Sequence, residues 1–257
     1  MAIGIFAATL LGISKTGVPG VGMFAALLMI SAFRNHEMFA SGAVVPLLIL
    51  GDIAAVHYYR RDRKPGMVRR LYPPMAIGLI LGMIVICLMD NRQFKLSVGI
   101  LAISILAFDF LRKRLGWTQV AKSPIFRNSC GVLTGLTTML GNAAGVVSTV
   151  YFASQDLDKK SFMGTNAFFF FLVNVSKIPL LITATQIKLF CGFDATDAQI
   201  ITPETFFLTL VFAPGLIVGI LLGRRFYRLI PEAVFIPMIL ILNVITAVQI
   251  FVSAIWF

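Results

Sequence analysis

The sequence predicts an all-α fold, a polytopic membrane bundle of two inverted repeats, and three observations lead to it. First, 58% of the 257 residues are apolar and 13% are charged, whereas soluble domains have about 45–50% and 25%. Second, apolar stretches long enough to cross roughly 30 Å of hydrocarbon recur along the chain. Third, two of these stretches are interrupted by helix breakers at matching positions. The composition alone excludes a soluble enzyme.

Hydropathy divides the chain into apolar segments, most of them about as long as a membrane helix. They are 1–31, 38–58, 72–89, 94–111, 128–153, 162–187, 204–223 and 233–257. The first contains S-K-T-G-V-P-G-V-G at 14–22, and the fifth contains G-L-T-T-M-L-G-N-A-A-G at 135–145. Gly and Pro at this density disfavour a continuous helix. Each of these two segments is therefore predicted to form two half-helices around an unwound tip.

The charges of the loops predict the topology, because cytoplasmic loops accumulate Lys and Arg. The basic loops at 59–71, 112–127 and 224–232 are predicted to be cytoplasmic, and the acidic loop at 188–204 to lie outside. The basic loop at 112–127 and the acidic loop at 188–204 are then on opposite sides, so the chain must cross the membrane an odd number of times between them. Two apolar segments lie there, and the broken one at 128–153 is therefore predicted to return to its own side. The same argument makes the first segment a hairpin that enters from outside.

Six spans and two re-entrant hairpins follow, with both termini outside. The alternative is that both broken segments cross fully, which moves a charged loop to its disfavoured side.

An internal repeat is indicated by a shift of 123 residues, which aligns the two interrupted segments without a gap. The aligned identities are Gly12 with Gly135, Gly22 with Gly145, Ser31 with Ser154 and Phe39 with Phe162, and G-L-I-L-G at 78–82 reappears as G-L-I-V-G at 215–219. The predicted organisation is one integral membrane domain with a first repeat at 1–111, a basic cytoplasmic linker at 112–127 and a second repeat at 128–257. Each repeat crosses an odd number of times, so the second is inverted, an arrangement typical of secondary transporters.

The two tips are predicted to bind an anion near the bilayer midplane. Unwound backbone at that depth is tolerated only inside protein or around a cavity. The second half-helix of each hairpin begins at the tip, with N–H groups and a dipole that favour negative charge. Gly17, Gly20 and Gly22 at one tip, and Gly141 and Gly145 at the other, let a ligand approach the backbone closely. The alternative is that these glycines only permit close helix packing.

Polar side chains inside the apolar segments are further candidate ligands. Lys15 lies in the first tip, where a charge is costly and needs a partner, either an anionic substrate or an acid. Asp52 is predicted to pair with Lys15 or Lys177, or to carry a coupling proton. A polar face of the sixth segment is formed at helical spacing by Asn166, Asn174 and Lys177. Lys177 is predicted either to line this polar path or to extend its amine outward to the membrane interface. The hydroxyl of Thr138 either faces the substrate or donates to a backbone carbonyl of its own helix.

At these motifs the sequence resembles the sulfite exporter TauE/SafE family of membrane permeases. The resemblance covers essentially the whole chain and rests on G-I-S-K-T-G-V-P-G-V-G at 12–22, P-L-L-I-L-G-D-I-A-A-V-H-Y-Y-R-R at 46–61, and the run at 135–145 with the later K-K-S-F-M-G-T-N-A-F-F-F-F. It implies a bacterial inner-membrane exporter of sulfur-containing anions, such as sulfite or small organosulfonates, built from two related halves. The positions that it implies around the anion are Lys15, Thr16, Gly17, Pro19, Gly20, Gly22, Gly141, Asn142 and Gly145. Many members have G-x-G-G-G in the second half, where this chain has G-N-A-A-G and Asn142 supplies an amide.

The predicted function is secondary transport, as an exporter, of a small sulfur-containing anion by alternating access. A passive anion channel and a permease for a non-sulfur organic anion are the alternatives. An enzyme is not expected, because the sequence has two His and no H-E-x-x-H, G-x-S-x-G or nucleotide-binding loop.

No cofactor or metal is predicted either. Cys87, Cys130 and Cys191 have neither disulfide-framework nor zinc-site spacing. The expected partners are the small anion, the lipid bilayer and, as a candidate, a second copy of the chain in a homodimer. Nucleic acid is not expected despite the net charge of +11, because the basic residues lie in short loops.

Overall fold

The computed structural model describes residues 2–31, 37–90, 123–194 and 198–256, together with isolated residues between 92 and 114. The helices of these segments are α1 (Ala2–Thr16), α2 (Val21–Ser31), α3 (Glu37–Tyr58), α4 (Pro65–Cys87), α5 (Pro124–Gly141), α6 (Ala144–Ala153), α7 (Lys159–Phe190), α8 (Pro203–Leu229) and α9 (Glu232–Trp256). Within the described segments there is no strand. The all-α class predicted from the sequence is confirmed.

Four helices of the described segments, α3, α4, α7 and α8, are long and apolar enough to cross a membrane. They correspond to four of the predicted spans. α4 begins at Pro65, earlier than the predicted apolar segment at 72–89. The hydropathy pattern missed the first turns of this helix because Arg69 and Arg70 lower their hydropathy. The predicted span at 94–111 lies largely outside the described residues, and α9 covers the last predicted span.

The first interrupted segment is broken where its helix breakers stand. α1 ends at Thr16 and α2 begins at Val21, and the connection includes Gly17, Pro19 and Gly20. The hydroxyl of Tyr59 donates to the carbonyl of Thr16 at 2.7 Å. This bond joins the end of α1 to the end of α3 and fixes the position of the first tip.

The second interrupted segment is broken at Asn142 and Ala143. Asn142 has a φ of 54°, in the left-handed region, which Asn tolerates better than most residues. α6 then leads back from the tip and is anchored by Phe152. The fully buried ring of Phe152 contacts Phe162 and Phe169 of α7 edge to face, with centroid distances of 6.4 and 5.5 Å.

Two tight crossings hold the first half of each broken segment against a long helix: α1 packs on α8, and α5 packs on α4. A Cβ added to Gly12 would overlap the backbone of α8 at Gly219, and one added to Gly135 would overlap the backbone of α4 at Gly78. Small residues permit such close approach of helices in a bilayer. These glycines are therefore a packing requirement of the fold.

The crossings also set the register between the two halves. Gly12 faces Gly219 and Gly135 faces Gly78, so a repeat that matches Gly12 with Gly135 would match 78–82 with 219–223. The alignment of the sequence had paired 78–82 with 215–219, one helical turn earlier. Glycine recurs on three successive turns of this face of α8, at 215, 219 and 223, so the sequence alone does not distinguish the two registers.

Contacting residue pairs fix the relative directions of the helices. α1, α3 and α8 run in one direction, and α4, α5 and α7 run in the opposite one. The pairs are Gly4 with Phe212, Gly17 with Gly223, Tyr58 with Arg224, Gly131 with Pro74, Gly82 with Met139, Tyr72 with Ser176, Asp52 with Asn174, and Gly164 with Tyr59. α1, α3 and α4 thus run opposite to α5, α7 and α8, respectively.

Candidate functional site

A cavity of about 70 Å³ lies where the two tips face α3 and α7. A single water needs roughly 10–15 Å³ on this measure, so the cavity has room for a few waters or a small ion. The predicted site residues that line it are Lys15, Pro19, Gly20, Gly22, Asp52, Thr138, Asn142, Gly145, Asn166 and Asn174. The fold therefore brings both tips and both long helices to one small cavity.

An ion pair forms one wall of this cavity. Lys15 Nζ lies 2.6 Å from Asp52 Oδ1, and Asn174 Nδ2 donates to Asp52 Oδ2 at 2.6 Å. The Asp52 side chain is fully buried, while that of Lys15 is 12% exposed. Lys15 Nζ also lies 5.1 Å from the centroid of the Phe170 ring. Of the alternatives for Asp52, pairing with Lys15 is the arrangement in the structure, and Lys15 keeps access to the cavity.

The close approach of Lys15 to α3 depends on Gly51. A Cβ at Gly51 would lie 2.9 Å from Lys15 Cγ, tighter than a normal contact. The lysine stem therefore passes over the bare backbone at Gly51 before its amine reaches Asp52. This local reason for a glycine beside the aspartate was not recognised in the sequence.

A second buried lysine lies behind the other tip. Lys177 Nζ donates to the Thr138 carbonyl at 2.9 Å and to Asn142 Oδ1 at 2.5 Å, and its residue is 1% exposed. Asn142 Nδ2 in turn donates to Ser41 Oγ at 3.1 Å. Lys177 therefore does not snorkel towards an interface. It holds the tip from behind and does not line the cavity itself.

Three predicted site residues at the tips are buried outside the lining of the cavity. The Thr16 hydroxyl donates to the Ile220 carbonyl at 2.9 Å, and Gly17 lies against the backbone of Gly223. Gly141 is buried at the end of α5. They position the two tips, while the neighbouring residues face the cavity.

Some polar groups at the cavity have room for a ligand. Asn166 Oδ1 is buried and has no hydrogen-bond partner among the described residues. Gly145 lies in the first turn of α6, whose N-cap residue Ala143 makes no side-chain cap bond, and a Cβ added to Gly145 would meet no atom within 4 Å. A buried polar atom without a partner calls for an explanation, such as a ligand or water. The sequence did not single out the lining residues Ser14, Thr149 and Phe170.

The left-handed conformation of Asn142 leads to a stability prediction. We expect Asn142→Gly to lower the free energy of unfolding through loss of its hydrogen bonds to Lys177 and Ser41. Asn142→Ala should lower it by about 1 kcal/mol more, because a Cβ disfavours the left-handed region. Thermal unfolding of the purified variants in one detergent measures the difference. Equal stability of the two variants is incompatible with the geometry of this tip.

A larger cleft of about 680 Å³ lies at the end of α3, and none of its lining residues lines the central cavity. Its basic and aromatic lining is His57, Tyr58, Arg60, Arg61 and Arg224. The Arg224 guanidinium carbon lies 4.3 Å from the centroid of the Tyr58 ring. These residues stand at the end of α3 that is predicted to be cytoplasmic.

The described residues contain no group of three or more His, Cys, Asp or Glu side chains that could hold a metal ion. The free cysteines are Cys87, Cys130 and Cys191. The ionisable side chains in or directly behind the lining of the central cavity are Lys15, Asp52 and Lys177. Two lysines and one aspartate are a set suited to binding an anion.

An apolar helical bundle with membrane-spanning helices and a small charged cavity between broken helices defines the chain as a membrane permease. The family model of the sulfite exporter TauE/SafE matches residues 1–250. The chain belongs to this family, as its sequence motifs indicated. No curated protein and no solved structure matches the chain.

Proposed function

We propose that the chain is a secondary transporter that exports a small sulfur-containing anion, such as sulfite or an organosulfonate, held in the cavity between the tips. The observation that carries the proposal is the position of Lys15 at the end of a broken helix, with its amine on the wall of a small cavity between the two tips. A charge inside a membrane helix bundle marks a functional site in general. The family description, a sulfite exporter, supports a sulfur oxyanion as the class of ligand.

Alternating access follows from the proposed inverted repeat. α1, α3 and α4 run opposite to α5, α7 and α8, and both broken segments meet at the cavity; these directions support the proposal. In transporters of this architecture, the substrate sits between the repeats while one element rocks against another. The two glycine crossings make α1 with α8, and α5 with α4, the natural rigid pairs for such a motion.

Counterflow in proteoliposomes tests the transport proposal. Vesicles preloaded with unlabelled sulfite should accumulate labelled sulfite from outside, with saturation, and vesicles that contain Lys15→Gln protein should not. Parallel vesicles loaded with acetate or lactate test the alternative of a non-sulfur organic anion. Uncoupled anion conductance without counterflow would identify a channel and refute the carrier.

The proposed topology can be tested by cysteine labelling in intact bacterial cells, where the chain is proposed to lie in the inner membrane with both termini outside. In a cysteine-free background, single cysteines at Arg92 and Asp194 should react with an impermeant maleimide, and those at Lys64 and Lys160 should react only after lysis. All four residues are exposed, and three of them are basic. Their accessibility within the protein is therefore matched. A mixed result within either pair rules out the proposed inversion.

A further inference from the structure

The central cavity has an uneven number of buried charges. Lys15 on α1 and Asp52 on α3 are the ionisable residues among those described in its lining. α7 contributes Lys177 directly behind the wall, bonded to two lining residues. The remaining described lining residues are uncharged. In their usual charge states at neutral pH, the two lysines and the aspartate sum to one positive charge in the interior of the bundle.

We propose that this arrangement makes the cavity selective for singly charged oxyanions, with Asp52 acting as an internal anion that balances one of the two lysines. The inference rests on the proposed function and specifies its substrate class: monoanions such as hydrogen sulfite or an alkylsulfonate, in preference to dianions such as sulfate. Asp52 contributes to this selectivity without being required as a direct ligand.

The contacts of Asp52 explain how it sets the charge. Both of its carboxylate oxygens are engaged at 2.6 Å, one by Lys15 and the other by Asn174, and the side chain is fully buried. The carboxylate is therefore held in place beside the amine that an entering anion must reach. A monoanion brings the local sum of charges to zero, whereas a dianion leaves an unbalanced negative charge next to Asp52. Unbalanced buried charge is strongly unfavourable.

The small size of the cavity strengthens this effect. About 70 Å³ leaves room for few waters beside an ion, so we expect bound water to offset only a small part of an excess charge. The N–H groups in the first turn of α6 are uncharged donors that suit oxyanions of either charge. We therefore assign the discrimination by valence to the charges of Lys15, Lys177 and Asp52.

A matched pair of ligands tests the inference by binding to the purified full-length protein. Methanesulfonate and sulfate are both tetrahedral and of similar size, but they carry one and two negative charges. Affinities can be measured by calorimetry at constant ionic strength for the wild type, for Asp52→Asn, and for the double variant Asp52→Asn with Lys177→Gln. Lys160→Gln, which removes an exposed lysine, is the control for a change in net charge alone.

The wild type and Lys160→Gln should bind methanesulfonate more tightly than sulfate, by at least about tenfold, or 1.4 kcal/mol. Asp52→Asn, with two lysines unopposed, should reverse this preference towards sulfate. The double variant restores a single positive charge and should return the preference to methanesulfonate, although Lys177 does not line the cavity. A folded Asp52→Asn protein with the wild-type preference overturns the inference, and so does a double variant that keeps the preference of Asp52→Asn.

The outcomes separate this inference from the proposed function. If the wild type binds neither ligand and shows no sulfite counterflow, the proposed function fails. If counterflow is present but both ligands bind equally well, the transporter stands and the selectivity by charge is refuted. Thermal unfolding of each variant without ligand verifies that the comparison is made on folded protein.

Discussion

Lys15→Ala should lose anion binding and should also be less stable than the wild type without any ligand. The binding loss is expected to be about 10- to 100-fold, because hydrogen bonds to charged groups contribute about 1.5–3 kcal/mol. The stability loss arises from Asp52, which is fully buried and would lose its cationic partner. Removal of one member of a buried ion pair costs about 3–5 kcal/mol. Anion titration and thermal unfolding in one detergent measure the two effects.

The double variant Lys15→Ala with Asp52→Asn separates the two effects. It leaves no unpaired carboxylate, so most of the stability should return, while the cationic ligand of the anion is still missing. We therefore expect this double variant to fold but not to bind the anion. Wild-type affinity in this double variant shows that Lys15 is not a ligand, and a Lys15→Ala protein as stable as the wild type shows that the buried pair does not form.

Gly12→Ala should disrupt the crossing of α1 with α8 and lower the free energy of unfolding by about 3 kcal/mol, near the upper end of the usual range for overpacking. The added methyl would meet backbone atoms of Leu216, Gly219 and Ile220, which cannot move aside as a flexible side chain can. Gly135→Ala should have a similar effect, because its Cβ would meet the backbone of α4 at Leu79.

Gly66→Ala is the matched control for these variants. Gly66 lies in the first turn of α4, is exposed, and has no atom within 4 Å of an added Cβ. The same chemical change should stabilise the helix there by up to about 1 kcal/mol, because alanine favours helix more than glycine does. Thermal unfolding of the three variants checks the contrast, and equal stability of Gly12→Ala and Gly66→Ala rules out the close crossing.

The breaks in the two hairpins were predictable because their cause is local. Gly17, Pro19 and Gly20 end one helix through backbone preferences that the sequence displays directly, and Asn142 does so at the other tip. Asp52 and Lys15 were likewise recognisable, since charges are rare in apolar segments and need partners there. Residue type and position along the helix were enough to nominate most of the residues that line the cavity.

Features that depend on how helices meet were not predictable from residue type. The glycines of α8 at 215, 219 and 223 recur one turn apart, so residue type alone does not tell which of them faces Gly12. Lys177 was expected either to line a polar path or to snorkel, whereas it bonds the Thr138 carbonyl and Asn142. Phe170 belongs to a run of four phenylalanines, and only the packing of α7 shows which ring faces Lys15.

Thermal stabilisation of the purified protein by a panel of anions tests anion binding at the cavity. The panel is sulfite, sulfate, thiosulfate, sulfoacetate, taurine, methanesulfonate, short carboxylates and phosphate. A ligand of the native state raises stability by RT ln(1 + [L]/Kd), which is about 2.7 kcal/mol at 100 times Kd. We predict a selective, saturable increase in Tm with a sulfur oxyanion or a sulfonate, absent in the double variant of Lys15 and Asp52. No increase with any anion, or an equal increase in that variant, would mean that the glycine tips and the buried lysines serve only to pack the bundle.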